Sequence, residues 1–260
     1  MTAEVRPIAS ATVDRLQMKQ YDGRINMGRA AAAEVAAEAR RLLEGKERVR
    51  IVFAAAPSQN EFLDSLASEH KLPWERITAL HMDEYIGLPA EAPQRFGRFL
   101  QDRLFGKVQP GTVHYLDGMN DPARECGRYA GLVQEAPIDI VCLGIGENGH
   151  LAFNDPPTAD FRDPAVVKPV ELDEACRRQQ VHDGCFATLE EVPRRAITLT
   201  VPTLLSGSRL FCIVPGRNKR DALSRALYGP VGEAVPASAL RLHPACVLYA
   251  DRDSWGGGGE

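Results

Sequence analysis

The sequence predicts an α/β protein built on one open, mostly parallel sheet with helices on both of its faces. Three observations lead there. Short apolar runs recur along the chain, amphipathic or Ala-rich segments separate them, and a chain of 260 residues is long enough to bury roughly three quarters of the surface it exposes when unfolded.

The elements follow in order. Met27 to Leu43 is Ala-rich with interspersed Glu and Arg, and Gly45 follows it, the pattern of a helix closed by a glycine cap. Val49 to Ala56 reads as a buried strand. Ser58 with Glu61, just ahead of Phe62 and Leu63, reads as a capping box that opens the next helix. The alternation then repeats: strand Ile77 to Met82, helix Pro93 to Leu104, strand Val113 to Leu116, helix Pro122 to Gln134, strand Ile138 to Leu143. Further strands are expected at Ala196 to Val201, Leu210 to Val214 and Cys246 to Tyr249, with a helix from Asn218 to Tyr228 between the last two. This is a Rossmann-like arrangement.

No linker divides the chain, so residues 1–255 are expected to form a single domain, followed by a Gly-rich tail at 256–260. The formal net charge of −4, without a dense Lys/Arg block, argues against nucleic acid as a partner. None of the six cysteines forms a C-x-x-C pair, so neither a zinc site nor a disulfide framework is expected. No apolar stretch is long enough for a membrane span, and residues 1–20 carry scattered charges where a signal peptide would be apolar. The protein is read as cytoplasmic.

In an open parallel sheet ligands bind beyond the carboxyl ends of the strands, so the residues that follow each strand carry the functional signal. After Ile138 to Leu143 comes Gly144-Ile145-Gly146-Glu147-Asn148-Gly149-His150, a match to G-x-G-x-x-G. A dinucleotide site needs a helix to start within that motif, and Pro156-Pro157 close behind forbids one. The glycines are better suited to a tight turn that presents His150, a side chain able to donate and accept a proton near neutral pH, with Glu147 and Asp155 near enough to orient it.

A second candidate is His81-Met82-Asp83-Glu84-Tyr85-Ile86-Gly87-Leu88-Pro89, at the end of another strand. Successive side chains alternate on an extended chain, so one of Asp83 and Glu84 can enter the crevice while the other braces the loop. A third is Ala54 to Glu61, where small residues and a helix start suit an anion, with Ser58 and Gln59 in position to touch it. Lys219 opens a helix after the strand Leu210 to Val214 and is suited to a phosphate.

The segments Met82 to Pro89 and Gly144 to Pro156, with Leu242-His243-Pro244 and the spacing between them, resemble the signature segments of the glucosamine-6-phosphate deaminases. The related 6-phosphogluconolactonases share the glycine-rich turn and lack the continuations found here. The resemblance implies conversion of an aminosugar phosphate to a ketose phosphate and ammonia, on an α/β fold, with neither metal nor organic cofactor. By it Asp83 takes the proton from C2 and relays it to C1, His150 promotes ring opening, Asp155 helps orient His150, and Asn148 beside them completes the catalytic set. Ser58, Gln59, Glu84, Gly146, Gly149 and Lys219 would hold the substrate.

Two departures from the pattern matter. Asn148 stands where an Asp is usual, which removes a negative charge from beside His150. The usual T-G-S-T-P loop is replaced by Ala55-Ala56-Pro57-Ser58-Gln59, and no arginine stands near Gly184 or Cys185, so Arg177, Arg178 or Ser58 must compensate or the distal group is not the usual phosphate. No basic cluster between Asp155 and Val170 suggests allosteric activation. A lactonase-like hydrolase and a catalytically silent sugar-phosphate sensor are the competing readings, and the sequence leaves a homo-oligomer open.

Overall fold

The computed structural model describes residues 5–69, 71–156 and 158–256. Of the expected tail only Gly256 falls among them. In chain order the strands are β1 (Ala9–Val13), β2 (Leu16–Tyr21), β3 (Val49–Phe53), β4 (Ile77–His81), β5 (Asp83–Tyr85), β6 (Thr112–His114), β7 (Ile140–Leu143), β8 (Val167–Glu171), β9 (Arg195–Leu199), β10 (Arg209–Val214) and β11 (Cys246–Asp251). Eight of them form the main sheet, in the order β1-β2-β11-β10-β7-β3-β4-β6. All neighbours run parallel except the edge pair β1 and β2. The class and the mostly parallel sheet are as the sequence predicts.

Alternating side chains divide the core between the two faces. On β3, Val49, Ile51 and Phe53 face helix α1 (Arg24–Leu43) and helix α2 (Asn60–Ala67), whereas Val52 faces the other way. On β10, Phe211 and Ile213 join the first face and Leu210, Cys212 and Val214 the second. That second face is covered by α5 (Pro122–Gln134) and α8 (Arg220–Tyr228) through Tyr129, Val133, Leu223 and Leu227. Each large aliphatic or aromatic side chain so buried contributes about 1.5–3 kcal/mol, so both faces hold their helices.

Three expectations need correction. The strand expected at Ala196 to Val201 is not in the main sheet: β9 pairs antiparallel with β5 and β8 in a separate three-stranded sheet. No capping box forms at Ser58; the chain turns through a short 3-10 segment, Pro57–Gln59, without a side-chain cap, and Glu61 is drawn instead to Arg24 at 2.9 and 3.1 Å. Gly45 is not a left-handed cap, because Glu44 closes α1 in right-handed conformation (φ −65°) and the N–H of Gly45 donates to the carbonyl of Leu42. The hairpin β1–β2, the strands β5 and β8 and the helices α4 (Gly106–Val108), α6 (Glu174–His182) and α7 (Val201–Leu205) are additional to the expected set.

The topology locates a crevice. From β3 the chain moves outward through β4 to β6, then returns to place β7 on the other side of β3 and builds β10 and β11 beyond it. Adjacent strands whose connections leave in opposite directions open a gap at their carboxyl ends, here between β3 and β7.

Candidate active site

Ala54, Ala55, Ala56, Ser58 and Gln59 from the end of β3 and Gly144, Ile145 and Gly146 from the end of β7 line a pocket at this crevice. Asp83, His150 and Lys219 line it too. The three side chains come from the ends of β4, β7 and β10, which only the sheet order brings together.

Asp83 owes its position to a change of sheets. The N–H of Met82 still bonds to Phe53 in the main sheet at 3.3 Å, but its carbonyl accepts from Leu199 of the small sheet at 2.8 Å, and Asp83 opposes Thr198 there. His81, fully buried, pins the bend: its Nδ1–H donates to the carbonyl of Asp83 and its Nε2 accepts from the N–H of Leu116, both at 2.9 Å. Burial pushes that imidazole down to about 4, so it stays neutral and holds this tautomer. The sequence places His81 at the head of this segment without a role for it, and the structure gives it one, holding the bend.

No described group donates a hydrogen bond to the Asp83 carboxylate. Burial, and then the neighbouring charge of Glu84, raise its proton affinity well above the ordinary aspartate value. A carboxylate in that condition is an effective proton acceptor.

Glu84, expected to touch the ligand, points away from the pocket. Its Oε1 accepts from the N–H groups of Tyr85 and Phe96 and its Oε2 from Gly97, at 2.9, 3.1 and 3.0 Å, so it braces the start of α3 (Phe96–Leu100) against the loop. Burial raises its pKa in spite of the three N–H donors and nearby Arg95. Glu84→Gln replaces one accepting oxygen with an NH2 facing the N–H of Gly97. It is expected to cost about 1–3 kcal/mol, read as a lower thermal midpoint, and a variant as stable as the parent would refute the bracing role.

The turn after β7 is shaped around His150. A Cβ at Gly146 would lie 2.2 Å from the imidazole, so only glycine leaves the ring its place. Gly149 takes φ +95°, open to few other residues, and lies behind the pocket wall with its carbonyl bonded to Ala237; the ligand contact expected of it is not supported. His150 Nδ1 lies 3.0 Å from Asp155 Oδ1. The same oxygen accepts from Asn148 Nδ2 at 2.9 Å, and Asn148 Oδ1 accepts the N–H of His150 at 3.0 Å. Burial alone would raise the Asp155 carboxyl, but His150, Asn148 and the N–H of Asp173 outweigh it and keep it below its usual range. Asp155 and Asn148, placed in the catalytic set by the resemblance, do not line the pocket; Asp155 stands against the His150 ring, where it can orient it, and Asn148 stands against Asp155.

An amide at 148 suits this network because it can donate to Asp155, which a second carboxylate cannot do without holding a proton. Asn148→Asp is expected to move the acidic limb of the pH–rate profile upward by about one unit or more, as two adjacent carboxylates share a proton. Superimposable profiles would sink the assignment.

Lys219 is 2% exposed, and no described carboxylate pairs with it. Burial lowers its pKa, with Asp183 and Glu147 acting in the opposite direction. A buried, unpaired ammonium on a pocket wall calls for an anionic ligand. Neither arginine offered as a compensating cation reaches it: Arg177 is bonded to the carbonyls of Leu189 and Val192, and Arg178 pairs with Glu174 on the surface. The third segment of the resemblance is structural as well, since His243 Nε2 is bonded to the carbonyl of Gly207.

Aromatic contact joins the two main signature segments, with the rings of Tyr85 and Phe153 5.3 Å apart and Phe96 packed on both. Helix α6 adds residues that the sequence reading passed over: Gln179 and Gln180 on the pocket wall, and the buried thiol of Cys176. Among the described residues one group has the spacing to hold a metal ion: ligand atoms of His150, Asp155 and Cys176 lie within 4.8 Å of one another.

A family model for glucosamine-6-phosphate isomerases/6-phosphogluconolactonase matches residues 24–248. The chain belongs to this family. It is 34% identical over 187 residues to glucosamine-6-phosphate deaminases of Bacillus thuringiensis and Bacillus anthracis, covering 72% of this chain and 70% of theirs. A solved monomeric glucosamine-6-phosphate deaminase superposes with a TM-score of 0.84 at 28% identity, covering 91% of this chain and 98% of that one. The 6-phosphogluconolactonase of Thermotoga maritima shares the fold, with a TM-score of 0.74 at 21% identity over 91% and 99% of the two chains. The protein is thus an enzyme of the glucosamine-6-phosphate isomerase/6-phosphogluconolactonase family. No helix of the described residues is long and apolar enough to cross a membrane.

Proposed function

We propose that this family member converts an aminosugar phosphate, glucosamine 6-phosphate or a close relative, to the ketose phosphate and ammonia. The observation that carries this reading is the Asp83 carboxylate, facing the same pocket as His150 with no donor among the described residues to hold it ionised. Hydrolysis of a lactone needs one group to activate water, whereas isomerisation needs a base that can take a proton from one carbon and return it to the next.

In the proposed sequence His150 exchanges a proton with the ring oxygen, and the hemiacetal opens to the aldehyde. Asp83 removes the proton from C2, the electron pair moves to the C1 oxygen, which takes a proton from the substrate's ammonium, and an enolamine forms. Return of that proton to C1 leaves an iminium at C2, which water hydrolyses to ketose and ammonia. Asp155 and Asn148 keep His150 in place, and Lys219 meets the phosphate. The charged substrate fits a cytoplasmic enzyme.

The test is ammonia release from a panel of hexosamine phosphates and free hexosamines, with Asp83→Asn as the control. Release from glucosamine 6-phosphate that disappears in the variant supports the reading. Lactone hydrolysis without ammonia overturns it in favour of the hydrolase, and binding without turnover in favour of a sensor.

A further inference from the structure

Gln179 and Gln180 stand next to each other near the end of α6, both more than nine-tenths buried and both on the pocket wall. Gln179 is fully engaged: its Oε1 accepts from the N–H of Glu147 at 2.8 Å and its Nε2 donates to Asp183 at 3.2 Å. Gln180 is not. Its side chain is 7% exposed, and no described group hydrogen-bonds to it. An amide that has no described protein partner and faces a pocket is free to bind a ligand there.

The position of Gln180 on α6 indicates which part of the ligand it meets. The end of α6 stands beside Lys219: Glu147, whose N–H donates to Gln179, accepts at Oε1 from Nδ2 of Asn218, the neighbour of Lys219, at 2.7 Å. Cys176, on the flank of α6 that Gln180 shares, lies by His150 and Asp155, and Gln180 follows it by one turn toward that end of the helix. The amide therefore shares the Lys219 side of the pocket. Asp83 and His150, which the proposed reaction assigns to the reacting carbons and the ring oxygen, come from other strands.

We infer that Gln180 and Lys219 together bind the anionic group of the substrate, the amide N–H donating beside a single positive charge. Gln180 is then a specificity-determining residue, setting how strongly the site prefers a phosphorylated sugar over the free one. This rests on the sugar-phosphate reading above for the identity of the ligand, but not on the reaction.

The experiment is a calorimetric titration of the full chain with glucitol 6-phosphate, an open-chain hexitol phosphate that can neither isomerise nor lose ammonia. Glucitol and inorganic phosphate serve as partial probes. Gln180→Met keeps the length of the side chain and removes both hydrogen-bonding groups, and Gln180→Glu keeps its shape and sets a negative charge beside Lys219. Thermal melts establish that each variant is folded.

The dissociation constant for glucitol 6-phosphate is expected to rise roughly 10- to 100-fold in Gln180→Met and further in Gln180→Glu, with a parallel loss for inorganic phosphate. Unchanged affinity in both variants overturns the proposal. So does a loss for glucitol 6-phosphate with inorganic phosphate unaffected, which would move Gln180 to the sugar hydroxyls. A parent protein that binds glucitol as well as glucitol 6-phosphate overturns it without any variant. Phosphate-selective binding that depends on Gln180, in a protein that releases no ammonia, would sink the deamination reading and leave this one standing.

Discussion

Asp83→Asn is expected to abolish ammonia release and, at the same time, to make the protein more stable. Loss of a general base typically costs about 10²- to 10⁴-fold in rate, and here no other described carboxylate lines the pocket. The gain in stability comes from the same environment. Burial and the charge of Glu84 raise the proton affinity of Asp83 in the folded state, so between its ordinary value of 3.8 and the raised one the folded chain holds a proton that the unfolded chain has released. Stability is thus greatest below the ordinary value and falls as pH rises through that window. Asparagine keeps the shape without the charge and avoids the loss. The thermal midpoint at neutral pH is expected to rise, by about 2–4 °C for each kcal/mol recovered.

Activity runs the other way with pH, because the ionised carboxylate is the base. The rate of the parent enzyme should climb with pH to a midpoint above the usual carboxylate range. Calorimetric melts of parent and variant across pH, together with the rate profile, check both halves. A variant that melts lower than the parent at neutral pH would mean the carboxylate makes a stabilising contact. Retained ammonia release would remove Asp83 from the mechanism.

Gly146→Ala is expected to cost nearly as much activity as removing His150 itself. The added methyl would lie 2.2 Å from the imidazole Cε1 and Nε2 and 2.4 Å from Cδ2, closer than atoms can approach. The backbone at Gly146 is held by a 3.0 Å bond from its N–H to the carbonyl of His150, so the ring is what yields, and it leaves both Asp155 and the pocket. A loss of about 10²-fold or more in kcat follows if the displaced imidazole no longer transfers the proton. A side chain that rotates toward solvent leaves the core unchanged, so the melting temperature should move little. Because Gly146→Ala and His150→Ala remove the same function, the double variant should be no slower than the worse of the two. Additive losses, or a fully active Gly146→Ala, would contradict the assignment.

The extent to which the site was legible in the sequence differs residue by residue. Asp83, His150 and Lys219 stand just past strand ends, and strand ends in a parallel sheet are where ligands bind, so local pattern sufficed to nominate them. Glu84 and Gly149 were nominated by adjacency to those residues. Adjacency along an extended or turning chain says little about direction, and both face away from the pocket, one toward the N–H groups of α3 and the other toward Val235. Gln180 and Cys176 lie on a helix whose mostly polar and charged sequence, Glu174–His182, carries little amphipathic signal. Its placement comes from the small antiparallel sheet, whose strands β8 and β9 flank it in the chain.

The sequence by itself determined the class of the protein: apolar runs of strand length separated by helical segments can bury themselves only as a sheet covered on both faces, and the residues after those runs supply an acid, an imidazole and a lysine. Tertiary structure alone decided that the chain changes sheets at Met82, that Glu84 turns from the pocket to the N–H groups of α3, and that an amide without a described partner lines the same pocket as Lys219. The physical reason is range. Alternation and helical periodicity are set by neighbours a few residues apart, whereas the direction in which Asp83 or Gln180 points is set by hydrogen bonds and packing with segments more than a hundred residues away, such as Leu199 on Met82, and these exist only once the sheets have closed on each other.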